Sequence, residues 1–224
     1  MITENINILT NKEILSIRIS GKERKRKVKT LLLDLAHFRN LLIIFIRKYN
    51  DIYNKILLNQ SVPYGLLSKK YTGKYQNEFN EVMINIEKNT ELTELIKMLK
   101  KQKEKVDNAH FVQYIIRQVI KDFTSYFHAL QKYNKEPKKF KGKPRPPKPK
   151  KLKYLMNISA EANNNTFKIE NNNIAVRLKE GKYLKVKLPK NFQYTISSVR
   201  LKLFGSDLYV DVVYERQIQQ QTKY

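Results

Sequence analysis

The chain has no cysteine, which removes disulfides, thiolate zinc sites and cysteine nucleophiles together. Histidine is nearly as scarce. His37, His110 and His128 are too few and too scattered to make a metal site. The longest apolar run, Leu41 to Ile46, is far too short to span a bilayer. Polar residues follow Met1 with no signal-peptide pattern, so the expected location is the cytoplasm. Catalytic signatures are missing too, with no Gly-rich phosphate loop, Gly-x-Ser-x-Gly elbow or HExxH pair. Acidic residues are sparse and fall mostly on the solvent faces of expected helices, where no cluster could hold two cations for a nuclease.

What is present is positive charge. In 224 residues, 45 Lys and Arg face 20 Asp and Glu, a formal net charge of +25. The length suits one large domain or two small ones, and 41% hydrophobic content marks a folding sequence, not a disordered basic tail. A compact body with that charge repels itself, and a polyanion is the natural compensating partner.

Glu13 to Ile19 alternates, with Ile14, Ser16 and Arg18 on one face and Leu15, Ile17 and Ile19 on the other, which predicts a strand ended by Gly21. A basic run, Lys22, Arg24, Lys25, Arg26, Lys27 and Lys29, then opens a long helix. Its stripe is Leu31, Leu35, Phe38, Leu42, Phe45, Tyr49, Ile52 and Ile56. Leu41, Ile43, Ile44 and Ile46 widen the stripe, so the helix is expected inside a bundle and not in a coiled-coil seam. Asn59 to Gly65, with Pro63 and Gly65, reads as a break. Helical pattern resumes over 78–105, divided near Asn89-Thr90. Asp107 is expected to cap a last helix with Val112, Ile115, Val119, Phe123, Tyr126 and Leu130 as its stripe.

Asn134 to Leu152 reads NKEPKKFKGKPRPPKPKKL, five prolines and nine basic residues. Such proline density forbids a helix and favours extended chain. A linker would account for the prolines. It would not account for Phe140 among the lysines or for so many adjacent charges, which suit a chain that tracks a phosphate backbone. From Lys153 onward six short alternating segments follow, near 154–159, 166–170, 174–178, 183–188, 196–204 and 207–215, with Gly205-Ser206 as a hairpin signal. Lys185, Lys187, Arg200 and Lys202 occupy alternate positions that would make one sheet face cationic, and exposed tyrosines among the 14 would offer stacking surfaces. The expected fold class is α+β: a small antiparallel, oligonucleotide-binding-like β-barrel completed by the N-terminal strand, with a helical bundle inserted.

This order of parts resembles the N-terminal half of TnpB-type transposon-encoded RNA-guided nucleases, relatives of compact type V CRISPR effectors. The match runs through the helix QYIIRQVIKDFTSYF (113–127), PKKFKGKP (137–144), Lys187-Leu188-Pro189-Lys190 and the hairpin Val199 to Glu215. The resemblance implies a wedge barrel that grips guide RNA and a helical recognition domain that flanks the guide–target heteroduplex. Base pairing would read the target, and the protein a short adjacent motif. The implied division is 1–21 for the first wedge strand, 22–133 for the recognition domain, 134–152 for the basic connection, 153–216 for the rest of the wedge and 217–224 for a tail.

Carried over by position, Gln113 lies where the family contacts the adjacent motif. Tyr64 and Ser159 fall near two further such contacts, and Ala109 stands where some members have lysine. The nucleic-acid-binding set is then Lys22, Arg24, Lys25, Arg26, Lys27, Tyr64, Gln113, Arg117, Lys138, Lys139, Phe140, Lys141, Lys143, Arg145, Lys148, Lys150, Lys151, Tyr154 and Ser159. No catalytic residue, metal or cofactor is expected in this chain. The partners are guide RNA, target double-stranded DNA, and a RuvC-like nuclease subunit or a second copy, with no membrane and an association with the nucleoid of a prokaryotic cell.

In the family, the hairpin ending in Tyr-Glu leads into a RuvC-like nuclease domain with a four-cysteine zinc module. Here Tyr214-Glu215 leads into RQIQQQTKY. The expectation is therefore a binding half without its nuclease: a truncated relative, one piece of a split protein, or a piece cut from a longer one. Charge and a barrel alone would equally suit a simple protein that binds structured or single-stranded RNA. A stand-alone nuclease using scattered carboxylates is the third alternative.

Overall fold

The computed structural model describes residues 8–55, 57, 59, 61–68, 74–151, 159–162, 166–204 and 206–219. It is mixed α and β, and it divides into two compact units, 1–30 with 156–224 and 31–155.

The first unit holds the strands and the start of the long helix. Strand β1 (Ile8–Arg18) pairs antiparallel with β7 (Asp207–Gln219) from Ile8 opposite Gln219 to Arg18 opposite Tyr209. The strand predicted from Glu13 thus begins five residues earlier, and it joins the C-terminal sheet. β7 pairs with β6 (Thr195–Phe204) as far as Phe204 opposite Asp207, and β6 with β2 (Ser159–Ala162). The sheet order is β1-β7-β6-β2. Its apolar face buries Ile196, Val199, Leu201, Leu208, Val210 and Val212.

A second sheet, β3-β4-β5, is a meander of Phe167–Glu170, Asn173–Lys179 and Lys182–Lys187. Asn171 and Asn172 form its first loop with φ of 45° and 61°, the paired positive values of a type I′ turn. Gly181, at φ 65°, turns the second. Phe167, Ile174, Val176, Leu184 and Val186 supply the buried face.

The expected barrel is corrected here. Among the described residues the strands form two separate open sheets, and no ladder links them. Alternation reports which face of a strand is buried, whereas closure depends on which edges pair around a full ring, and side-chain pattern does not encode that.

Helix α1 (Lys22–Tyr53) begins in the first unit, after Gly21 turns the chain at φ 88°, and continues through the second. The predicted stripe is buried from Leu31 to Tyr49, and Ile43 and Ile46 with it. Burial ends there. Ile52 is 40% exposed, Asn54 turns left-handed at φ 49°, and Ile56 lies outside the described residues.

The break expected at Asn59–Gly65 is instead largely helix α2, Ser61–Ser68. Pro63 is its third residue, where the backbone N–H has no partner to lose, so its ring starts a helix and does not stop one. Asn59 supports that start by accepting from the Ser61 backbone N–H at 3.0 Å, and Lys103 Nζ donates to the Leu67 carbonyl at 2.9 Å near the other end.

Helices α3 (Gln76–Glu87) and α4 (Thr90–Val106) are divided where expected, and Asn89 caps α4 by accepting from Leu92 N–H at 3.0 Å. The cap of α5 (Ala109–Lys135) is Asn108, buried and accepting from His110 and Phe111 N–H, and not Asp107. Asp107 ends α4 in the left-handed conformation at φ 50°, so the corner uses one residue to stop and the next to start. Val112, Ile115, Val119 and Phe123 carry the buried face of α5. Arg39 of α1 pairs with Asp122 of α5 at 2.9 Å.

Candidate nucleic-acid interface

The Lys/Pro segment follows directly from α5. One 3₁₀ turn, Pro137–Lys139, redirects the chain, and Phe140 sets its ring edge-on to Tyr133 with centroids 5.8 Å apart. Phe140 is half-buried, so it pins the segment to the end of α5. From Lys143 to Lys151 there is neither helix nor strand. Prolines 144, 146, 147 and 149 each hold φ near −65°, which keeps this stretch extended.

The far end is held by α1. The Asn40 amide donates to the Lys150 carbonyl at 2.8 Å and accepts from the Lys150 N–H at 3.1 Å, a two-point clamp on the backbone. The segment is therefore a docked strap. Pro144, Pro146 and Pro147 are half-buried, whereas Lys138, Lys139, Lys141, Lys143, Arg145, Lys148, Lys150 and Lys151 are all exposed. Among the described residues only Lys139 of these eight has an acidic partner, Glu136 at 2.7 Å.

The basic start of α1 forms a separate cluster in the first unit. Lys22, Arg24, Arg26 and Lys27 are exposed, and Lys25 is half-buried. Two of the five are already engaged, Lys27 with Glu23 at 2.6 Å and Lys25 with Asp207 at 3.6 Å. The Lys27 ammonium holds the Glu23 carboxyl below its usual pKa. A cavity of about 290 Å³ lies here, lined by Glu23, Arg24, Lys27, Leu178, Tyr183, Leu184 and Lys185. Tyr183 is 44% exposed, which gives this cluster an aromatic face beside its cations.

The two pairs of cationic strand positions fare differently. Lys185 and Lys187 are exposed, alternating with buried Leu184 and Val186, and Lys185 lies 4.0 Å from Glu170. Arg200 and Lys202 are half-buried and neutralised within the sheet, by Glu161 at 3.4 Å and Asp211 at 3.7 Å. Ser16, Asp211, Arg200 and Glu161 occupy one row across four strands, with Ser16 Oγ donating to Asp211 at 2.6 Å. Asp207 similarly binds Arg18 at 2.8 Å, and its carboxyl is held below the usual range by that hydrogen bond. This sheet face is a ladder of compensated charges, and the expectation of a cationic face on β6 is corrected accordingly. Glu161 lies directly opposite Arg200 and Asp211 diagonally across from Lys202, placements visible only once the register is known.

Tyr64 is half-buried in α2, Gln113 is half-buried in α5, and Arg117 is exposed one turn beyond Gln113. α2 packs against α3, α4 and α5. Tyr154 lies outside the described residues, and of Ser159 only its backbone, paired opposite Lys202, is described. Sequence reasoning missed Asn40. A single asparagine beside an apolar helical stripe carries no signal that it will clamp a backbone 110 residues away. Among the described residues no group of three His, Asp or Glu side chains converges to hold a metal, and no helix is long and apolar enough to cross a membrane.

Compared with protein-family models and with curated proteins, the sequence matches none.

Proposed function

We propose that the chain binds nucleic acid along the strap, and that its ligand is a structured guide RNA which directs it to double-stranded DNA beside a short adjacent motif. The observation that carries this reading is the division of the strap, with Pro144, Pro146 and Pro147 half-buried and eight cations exposed, one of them paired among the described residues. Extended chain rises about 3.1 Å per residue, so Lys143 and Arg145, and Lys148 and Lys150 further along the extended stretch, each stand about 6 Å apart, a spacing suited to successive phosphates. Such contacts position a backbone without reading bases. The guided part of the reading rests on the resemblance to TnpB-type proteins. In it the unit of two sheets takes the place of the wedge barrel, the helices that of the recognition domain, and Gln113 and Arg117 face the adjacent duplex. The chain itself contributes binding and not cleavage, and works at the nucleoid of a prokaryotic cell.

Filter binding tests this with three ligands: a structured RNA, a DNA duplex, and the duplex after the protein is loaded with an RNA complementary to one strand. Site-specific DNA retention is expected only with the complementary RNA. Site-specific retention without any RNA would sink the reading. RNA binding with no DNA targeting under any guide would leave a simple RNA-binding protein, for which the strap alone suffices.

A further inference from the structure

A pocket of about 280 Å³ opens beside the strap in the helical unit, lined by Arg47, Asn50, Asp51, Asn54 and Lys55 of the α1 end, Phe123, Tyr126 and Phe127 of α5, and Pro146 of the strap. Its walls are of two kinds. The α5 wall is aromatic, with Tyr126 and Phe127 half-buried and their ring centroids 4.9 Å apart. The α1 wall is polar, and part of it is already committed. Asn50 Oδ1 accepts from the Leu57 N–H at 3.2 Å, and Lys55 is bound to Glu81. Asp51 is exposed and has no ion pair among the described residues. Helix α1 also ends here, at Tyr53, leaving its last backbone carbonyls without intrahelical partners. Carboxylate and helix C-terminus together favour a ligand edge that donates hydrogen bonds.

We infer that this pocket receives one unpaired guanine of the strand held by the strap, packed against the aromatic wall of Tyr126 and Phe127, whose rings are tilted 56° to each other, with its donor edge on Asp51. This inference rests on the nucleic-acid reading above. Pro146 supplies the link, because it belongs both to the strap that tracks the backbone and to the wall of the pocket. Stacking on an aromatic side chain accepts any base. Guanine is selected because its Watson–Crick edge offers two adjacent N–H donors, which match the two oxygens of a carboxylate. Uracil and adenine offer no such pair. Arg47 remains for the phosphate of the inserted nucleotide.

The test measures dissociation constants of a short oligouridylate and of the same strand carrying one central guanosine or one central adenosine. The proteins compared are the unaltered chain, Asp51→Asn and the strap variant Lys141→Ala/Lys143→Ala. Asp51 is exposed on a helix, so Asp51→Asn leaves the fold intact. The guanosine strand is expected to bind the unaltered chain about tenfold more tightly than oligouridylate. Asp51→Asn should erase that advantage, so that the guanosine strand and oligouridylate bind it equally. The strap variant should weaken both strands and preserve their ratio. Equal affinity for guanosine and uridine strands, an adenosine strand that binds as well, or an advantage that survives Asp51→Asn would each overturn the guanine pocket while the strap's nucleic-acid role stands. Failure of every strand to bind would overturn both.

Discussion

Asn40→Ala removes the clamp on the strap without altering a single charge. The side chain makes two hydrogen bonds to the Lys150 backbone, at 2.8 and 3.1 Å, and the site is exposed. Two such bonds at the lower part of their usual net worth contribute about 1–2 kcal/mol to docking of the strap. That is a factor on the order of 5–30 in the docking equilibrium. Amide hydrogen exchange reads it directly, and protection of the Lys150 N–H should fall by about that factor while amides in the middle of α5 are unaffected. RNA affinity should fall by no more than the same factor. The dependence of log affinity on log salt should keep its slope, because the same lysines still release counterions when they bind. Unchanged exchange at Lys150 would refute the clamp. A slope lowered as though a lysine had been removed would refute the division of labour, in which Asn40 positions and the cations bind.

Replacing Lys138, Lys139, Lys141, Lys143 and Arg145 by alanine should lower the salt slope by about 0.7–0.9 for each phosphate left without its cation. Lys139→Ala alone should matter least, because Glu136 already engages it, and an unchanged slope in the fivefold variant would reduce the strap to a linker. Gln113→Ala should cost on the order of 1–3 kcal/mol in target binding at one or two base positions, read by competition between targets altered base by base. Asn108→Ala removes the buried cap of α5 and should lower unfolding free energy by about 0.5–2 kcal/mol in a denaturant titration. The Arg18 hydrogen bond holds the Asp207 carboxyl below the usual carboxylate range, so this pairing stabilises fully above that range and fades as pH falls through the lowered pKa. In acid titrations Asp207→Asn should therefore be less stable than the unaltered chain at neutral pH, with the gap closing once the pH falls below the usual carboxylate range.

The residues announce this fold unevenly. The stripe from Leu31 to Tyr49 is legible because burial repeats with the helical period, and the strands from Thr166 onward because alternation marks a face buried on one side. α2 is hidden when Pro63 is read as a stop, although proline in a first turn is compatible with a helix. Asp107 and Asn108 are adjacent residues of similar capping propensity, and only the backbone conformation assigns one to each helix. Neither the separation of the sheets nor the pairing of Arg200 and Lys202 with Glu161 and Asp211 is legible, since both depend on which strand lies beside which. At the interface the strap's cations are plain in the sequence. Their exposure, and the Asn40 clamp that presents them, come from tertiary packing alone.

The most direct measurement of guided recognition is to purify the chain from cells that carry its natural locus and sequence the RNA that comes with it. One enriched species is expected, with a constant structured part and a variable end, and it should disappear when the strap lysines are replaced. A broad mixture of cellular RNA, retained in proportion to its abundance, would contradict guided recognition and leave the +25 charge as a general attraction for polyanions.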